Sequence, residues 1–168
     1  MVNIEIIEAG EKETKERSDF IRSAWKEAGP ESLGWTGASK EIIHDLASEK
    51  YLHEVLNDPK MKIFLSEEYG KAVGFAVDRV INNDVVELAG IIVIQDRLGR
   101  GYGSALLENA RKWAGEHGYK QMIVRTEENN ERAISFYKSK GFVEVERTIE
   151  DIFGSKVAIV TLKHDLTK

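Results

Sequence analysis

Three glycines at alternate positions, Gly99, Gly101 and Gly103, stand between two patterns of different period. Before them runs a short apolar stretch, Ile91 to Ile94, of the kind a buried strand shows. After them Leu106, Leu107, Ala110, Trp113 and Ala114 recur at helical spacing. A strand, a glycine turn and a helix start in that order make an anion site: glycine lets the backbone approach a ligand and take positive φ. The N–H groups of the first helical turn point outward without partners. Arg97 and Arg100 flank the turn and would add charge-assisted contacts to phosphate. The first hypothesis is a phosphorylated ligand held mainly by main-chain amides.

The spacing fits neither familiar phosphate loop. A dinucleotide fingerprint needs G-x-G-x-x-G and an acidic residue about 20 positions on. Here the pattern is Gly99-x-Gly101-x-Gly103, and Gly118-Tyr119 closes a helix near the place of that acid. A P-loop ends in Gly-Lys-Ser/Thr, and this turn holds no lysine. A tight strand-to-helix turn without a ligand is the bland alternative.

A second segment decides against the bland reading. Asn130-Glu131-Arg132-Ala133-Ile134-Ser135-Phe136-Tyr137-Lys138-Ser139-Lys140-Gly141-Phe142 resembles the N-x-x-A-x-x-F-Y-x-x-x-G-F signature of the GCN5-related N-acetyltransferases (GNAT). Leu98 to Gly103 resembles that family's Q/R-x-x-G-x-G/A acetyl-CoA loop, in the family's order and separation. The resemblance covers roughly Val73 to Phe142. Its first loop position, usually Gln or Arg, is Leu98 here, which implies a weakened side-chain contact to the pyrophosphate with the backbone contact kept.

The resemblance implies acetyl-CoA as cofactor and direct acetyl transfer to an amine. It implies a cofactor site made by Ile91, Ile92, Val93, Leu98, Gly99, Arg100, Gly101, Tyr102, Gly103, Ser104, Asn130, Ala133, Phe136 and Tyr137. An alkyl amine of pKa about 10 is almost wholly protonated at neutral pH, so a base must act before or during attack. Glu87 matches the position of a glutamate that many members use, often through water; otherwise it is a polar strand residue. Tyr137 matches the tyrosine assigned as proton donor to the departing thiolate, and a phenol of pKa about 10 is a donor at pH 7. Alternatively Phe136 and Tyr137 are the apolar face of their helix. Asn130 either contacts the cofactor or caps its helix. The donor for the developing oxyanion is implied to be a backbone N–H, that of Val93.

The elements that must position these groups can be read in order. Asn3 to Ile7 alternates as a strand. Phe20, Ile21, Ala24, Trp25 and Ala28 mark a helix stopped by Gly29-Pro30. A loop over 32–39 contains Trp35, which either lines the acceptor pocket or anchors the loop to the core. A second helix opens at Ser39 and runs to Leu56. Lys62 to Leu65, Ala72 to Ile81 and Val85 to Ile94 are three strands joined by turns at Glu67-Glu68-Tyr69-Gly70 and Asn82-Asn83-Asp84. Then follow a helix to about His117, a strand Gln121 to Thr126, the helix of Asn130 to Lys140, and a last pair, Val143 to Thr148 and Lys156 to Lys163. Short turns imply antiparallel pairing. The expected architecture is one α/β (α+β) domain over residues 1–168 of GNAT type: a mixed, mostly antiparallel central sheet, helices on both faces, and a splayed cofactor cleft between Ile91 to Ile94 and Gln121 to Thr126.

Composition sets outer limits. The chain has 168 residues, 42% of them hydrophobic and 32% charged, with a net charge of −5 and no cysteine. The acidic balance argues against nucleic acid as main partner. No apolar run approaches the roughly 20 residues of a membrane span, the start lacks a signal-peptide pattern, and a cytoplasmic location is expected. The lack of cysteine rules out a cysteinyl-enzyme intermediate. His44, His53, His117 and His164 lack ligand spacing, so no metal site is expected. Glu41, Asp45 and Glu49 would attract an amine or form a solvated face. Ile149, Ile152 and Phe153 of the final hairpin would supply the apolar contact of a homodimer. Two functions follow: an N-acetyltransferase acting on a primary amine, or a non-catalytic acyl-CoA-binding module on the same fold.

Overall fold

The computed structural model describes residues 4–10, 15–32, 49–152 and 154–167. Trp35, Ser39, Glu41, His44, Asp45, Phe153 and most of the second helix expected from the sequence lie outside the described residues.

Seven strands form one sheet: β1 (Glu5–Glu8), β2 (Met61–Glu68), β3 (Lys71–Val80), β4 (Val85–Val93), β5 (Gln121–Glu127), β6 (Val143–Ile152) and β7 (Ser155–Asp165), in spatial order β1-β2-β3-β4-β5-β7-β6. The described helices are α1 (Lys15–Ser32), α2 (Glu49–Asn57), α3 (Tyr102–Glu116) and α4 (Glu131–Ser139), with a 3-10 turn at Gln95–Arg97. Every neighbouring pair is antiparallel except β4 and β5, which are joined by the crossover through α3. Their parallel ladder has only the three pairs Val85↔Gln121, Val86↔Met122 and Glu87↔Ile123. Beyond it the strands part, as the family resemblance implies.

Strand alternation divides the core between the two faces of the sheet. Phe64, Ala76, Val86, Leu88, Met122, Val124, Val160 and Leu162 pack against Leu106, Leu107, Ala110 and Ala114 of α3. On the other face Ile63, Leu65, Phe75, Val77 and Ile92 pack against Ile21 and Ala24 of α1 and Leu52 and Val55 of α2. At about 25 cal/mol per Å² of apolar surface removed from water, each fully covered Leu or Ile contributes about 2 kcal/mol, enough to fix the register of every strand that carries one. Between Val77 and Asp78 the β3–β4 register shifts by one residue, so that Ala89 is extra on β4. Val86 and Leu88 before the bulge and Ile91 and Val93 after it consequently share the α3 face.

Local corrections to the sequence reading have simple causes. α1 does not stop at Gly29-Pro30 but continues to Ser32. A proline there removes a single i→i−4 bond, and it stands in the last turn of a helix already anchored by Ile21 and Ala24. Glu67 and Glu68 belong to β2, not to a turn; the hairpin is the two-residue link Tyr69-Gly70, with φ of 51° and 78°. Positive φ at both positions gives the twist that joins antiparallel strands tightly. The last hairpin is also longer than its apolar residues indicate, because half-buried Glu150 and exposed Asp151 continue the β6–β7 ladder.

Candidate active site

The splay of β4 from β5 opens a cleft of about 610 Å³. Its walls are Ile91, Ile92 and Val93 of β4, the loop through Arg97, Leu98, Gly99 and Gly101, the start of α3 at Tyr102, Gly103 and Ser104, and Asn130, Arg132, Ala133, Phe136 and Tyr137 of α4 and its cap. All the residues expected at the cofactor site line this one space except Arg100, which is exposed beside the loop.

The loop has the geometry of an anion cradle. Gly99 and Gly101 have φ of 75° and 91°, a region that L-residues other than glycine avoid. A Cβ at either would meet nothing within 4 Å, so backbone conformation, not crowding, requires glycine there. Gly103 has ordinary helical φ, and a Cβ on it would come 3.9 Å from Phe136 Cζ in the cleft. Gly101 caps α3 without a side chain, while its carbonyl accepts from Ala105 N at 3.0 Å. The N–H groups of Tyr102, Gly103 and Ser104 therefore have no acceptor one turn back, and the helix dipole favours an anion beside them.

Leu98 departs from expectation. Its side chain is 45% exposed and its N–H closes the 3-10 turn onto the Gln95 carbonyl at 3.3 Å. The backbone donor expected at this position is thus already engaged, and the open amides begin after it. Arg97 is also committed: Nε donates to Glu68 at 2.8 Å and a terminal nitrogen lies 3.1 Å from Asp96. Arg132 is a cationic wall residue that motif reading overlooked, since it occupies a variable position of the α4 signature.

Asn130 caps α4, its Oδ1 accepting from Ala133 N at 3.2 Å, and it lines the cleft as well. Tyr137 stands in the wall between two edge-on rings, Phe136 at 5.4 Å and Phe142 at 5.6 Å between centroids. Burial pushes its phenol up to about 12, so the hydroxyl keeps its proton at neutral pH.

Backbone geometry gives Val93 its direction. Ile94 N donates to Val73 O at 2.9 Å, which makes the facing pair Val93↔Gly74 a non-hydrogen-bonded one. The N–H of Val93 therefore points away from β3, toward the gap where β5 has departed.

Glu87 is not in the cleft wall. It is 7% exposed, sits at the foot of the splay, and is ion-paired with Arg79, its neighbour across β3. Val86 and Leu88 on either side of it pack on the α3 face, so alternation turns Glu87 to the face of α1 and α2. Among the described residues no group of three or more histidines or acids stands together as a metal site, and no helix is long and apolar enough to cross a membrane.

The model of the family described as "Acetyltransferase (GNAT) family" matches residues 19–142. The chain belongs to this family. N-acetyl transfer from acetyl-CoA is the activity of GNAT proteins, and the residues of the cleft fit that cofactor: open amides and the Arg132 guanidinium for the pyrophosphate, and an apolar strand beside a gap for the pantetheine arm. Among relatives, Peptidyl-lysine N-acetyltransferase YjaB of Escherichia coli is 27% identical over 152 residues, which cover 86% of this chain and 95% of that protein. Aminoglycoside N(6')-acetyltransferase type 1 of Salmonella typhimurium is 28% identical over 127 residues, 68% of this chain and 87% of that enzyme. Among solved structures, a GNAT family acetyltransferase from Elizabethkingia anophelis with acetyl-CoA bound superposes with a TM-score of 0.71 at 15% identity, covering 97% of this chain and 98% of that one. The GNAT fold, with its mixed sheet open between β4 and β5, is thereby established for this chain.

Proposed function

We propose that this GNAT protein transfers the acetyl group of acetyl-CoA directly to a primary amine, either of a small molecule such as a polyamine or amino sugar or of a protein amino end. One observation carries the reading: the glycine cradle and the Tyr137 side chain line the same cleft. An anion site at one part of the wall and a proton donor at another are what a phosphorylated thioester needs.

When bound, acetyl-CoA supplies an activated carbonyl carbon and a thiolate leaving group. The amides of Tyr102, Gly103 and Ser104 hold pyrophosphate, and Arg132 adds charge. The N–H of Val93, directed into the gap, donates to the carbonyl oxygen as negative charge grows there. Glu87, facing α1 and α2, takes the proton that the amine loses, directly or through water. Tyr137 gives its hydroxyl proton to sulfur as the carbon–sulfur bond breaks. The amine approaches from the α1/α2 face, and the names of two relatives, one acting on peptidyl-lysine and one on an aminoglycoside, support a cationic acceptor.

The test is thiol release from acetyl-CoA across a panel of polyamines, aminoglycosides and lysine peptides. Acceleration by at least one amine supports the enzyme. If coenzyme A binds and no amine accelerates release, the chain is a non-catalytic acyl-CoA module instead.

A further inference from the structure

The end of β2 carries two consecutive carboxylates that alternation sends to opposite faces of the sheet. Glu67 is held by Arg17 of α1 through Nε at 3.3 Å and a terminal nitrogen at 3.1 Å. Glu68 goes to the other side, to the glycine loop. There Arg97 Nε donates to Glu68 Oε2 at 2.8 Å and the Tyr102 hydroxyl donates to the same oxygen. Arg97 and Tyr102 are the residues immediately before and after the run Leu98 to Gly101, so a single carboxylate grips both ends of the cradle.

That arrangement bears on ligand affinity. Glycines at positive φ lose more conformational freedom on ordering than other residues, and a loop that orders only on binding weakens binding by that amount. Tyr102 is 1% exposed and opens α3, so its hydroxyl bond also sets the direction of the first helical amides. The Tyr102 hydroxyl and the Arg97 guanidinium hold the Glu68 carboxyl below the usual glutamate range, and the pin is charged at neutral pH. Glu68 is also the last residue of β2 and pairs with Lys71 across the Tyr69-Gly70 hairpin, so the β2–β3 ladder places its backbone independently of the loop.

We propose that Glu68 is a positioning residue for acetyl-CoA: acting through Arg97 and Tyr102, it holds the cradle in its binding form before the cofactor arrives. The proposal rests on the acetyl-CoA reading of the cleft and touches neither Glu87 nor Tyr137. Arg97 accordingly serves as a strut for the loop, and the direct cationic contact to phosphate falls to Arg132.

The experiment is calorimetric titration of coenzyme A into the full chain and into Glu68→Ala, Glu68→Gln, Tyr102→Phe and the double variant Glu68→Ala/Tyr102→Phe. Acetyl-CoA KM and kcat are measured alongside. Hydrogen bonds to a charged group give an expected rise of about tenfold in coenzyme A Kd and acetyl-CoA KM for Glu68→Ala, with kcat at saturating acetyl-CoA kept within about twofold. Glu68→Gln, which keeps an acceptor for Tyr102 and loses the charge facing Arg97, falls between. Tyr102→Phe raises Kd by a smaller factor, and the double variant is no weaker than Glu68→Ala, because Glu68→Ala already removes the Tyr102 contact together with that to Arg97. Folding is checked by thermal midpoint; should Glu68→Ala not fold, Glu68→Gln and Tyr102→Phe decide the matter. Folded variants that bind coenzyme A as tightly as the parent, or that lose kcat with KM unchanged, overturn the role of Glu68. A parent chain that does not bind coenzyme A overturns the reading of the cleft itself.

Discussion

Glu87 of β4 and Ile123 of β5 form the last pair of the parallel ladder that these strands share. One residue further on, the sheet opens. A carboxylate at that point faces α1 and α2 while the cleft wall, Ile91 to Val93, begins a few residues along the same strand. This places the candidate base below the gap where an amine and a thioester would meet. Glu87→Gln is expected to lower kcat by about two orders of magnitude, a usual size for loss of general-base help, with acetyl-CoA KM unchanged. Were Glu87 only the partner of Arg79, the same substitution would lower the thermal midpoint and spare kcat. Steady-state thiol release together with a melting curve separates the two outcomes.

Tyr137→Phe removes one oxygen from a wall whose packing comes from rings. The Phe136 and Phe142 contacts remain, so coenzyme A affinity is expected within about twofold of the parent while kcat falls about 100-fold. The pH profile gives a second check. With the phenol pushed up to about 12 by burial, Tyr137 stays a proton donor across the working range, and kcat should show no alkaline loss below about pH 11. A fall in kcat near pH 9 that is absent from Tyr137→Phe would show that burial does not hold the phenol up, whereas a Tyr137→Phe variant that keeps the parent kcat would sink the proton-donor assignment.

Gly101→Ala tests the cradle through its backbone. The new methyl meets no atom within 4 Å, so the cost is that of holding an L-residue at φ 91°. That cost is roughly 1–2 kcal/mol, and it is relieved if the loop rearranges. Coenzyme A should bind about tenfold more weakly by calorimetry; unchanged affinity would mean that the loop amides do not hold the cofactor.

Asp78 concerns stability. It is 0% exposed, between Ala76 and Val80 on the face that packs against α3, and neither carboxylate oxygen has a hydrogen-bond partner among the described residues. Burial raises its pKa well above the usual value. The folded chain keeps the proton where the unfolded chain, titrating at about 4, releases it. Asp78 therefore costs stability increasingly as pH rises from about 4 until the folded-state value is passed. Asp78→Asn, which has the shape of the protonated acid and does not ionise, should raise the midpoint by a few degrees at pH 7, at roughly 2–4 °C per kcal/mol for a chain of this size. Near pH 4 the gain should vanish. A gain independent of pH would refute the account.

Local chemistry made the cradle and the α4 motif legible. Glycines at Gly99 and Gly101 are required by the φ values found there, and the N-x-x-A-x-x-F-Y spacing presents Ala133, Phe136 and Tyr137 on one side of a short helix. The antiparallel hairpins could also be read, because their turns are short, and the resemblance implied that the strands ending at Ile94 and Thr126 run parallel; the place of β7 between β5 and β6 was not legible. What tertiary structure alone decided depends on residues distant in sequence. Arg97 and Arg100 look equivalent beside a phosphate loop; only the approach of Glu68, 29 positions from Arg97, turns the first away from a ligand. Glu68 itself resembles a turn residue until β2 is seen to continue through it. Asp78 alternates correctly for a strand, yet whether its carboxylate meets water or the underside of α3 is set by the register of three strands at once. Periodicity tells which residues share a face; it takes the packed sheet to say what that face meets.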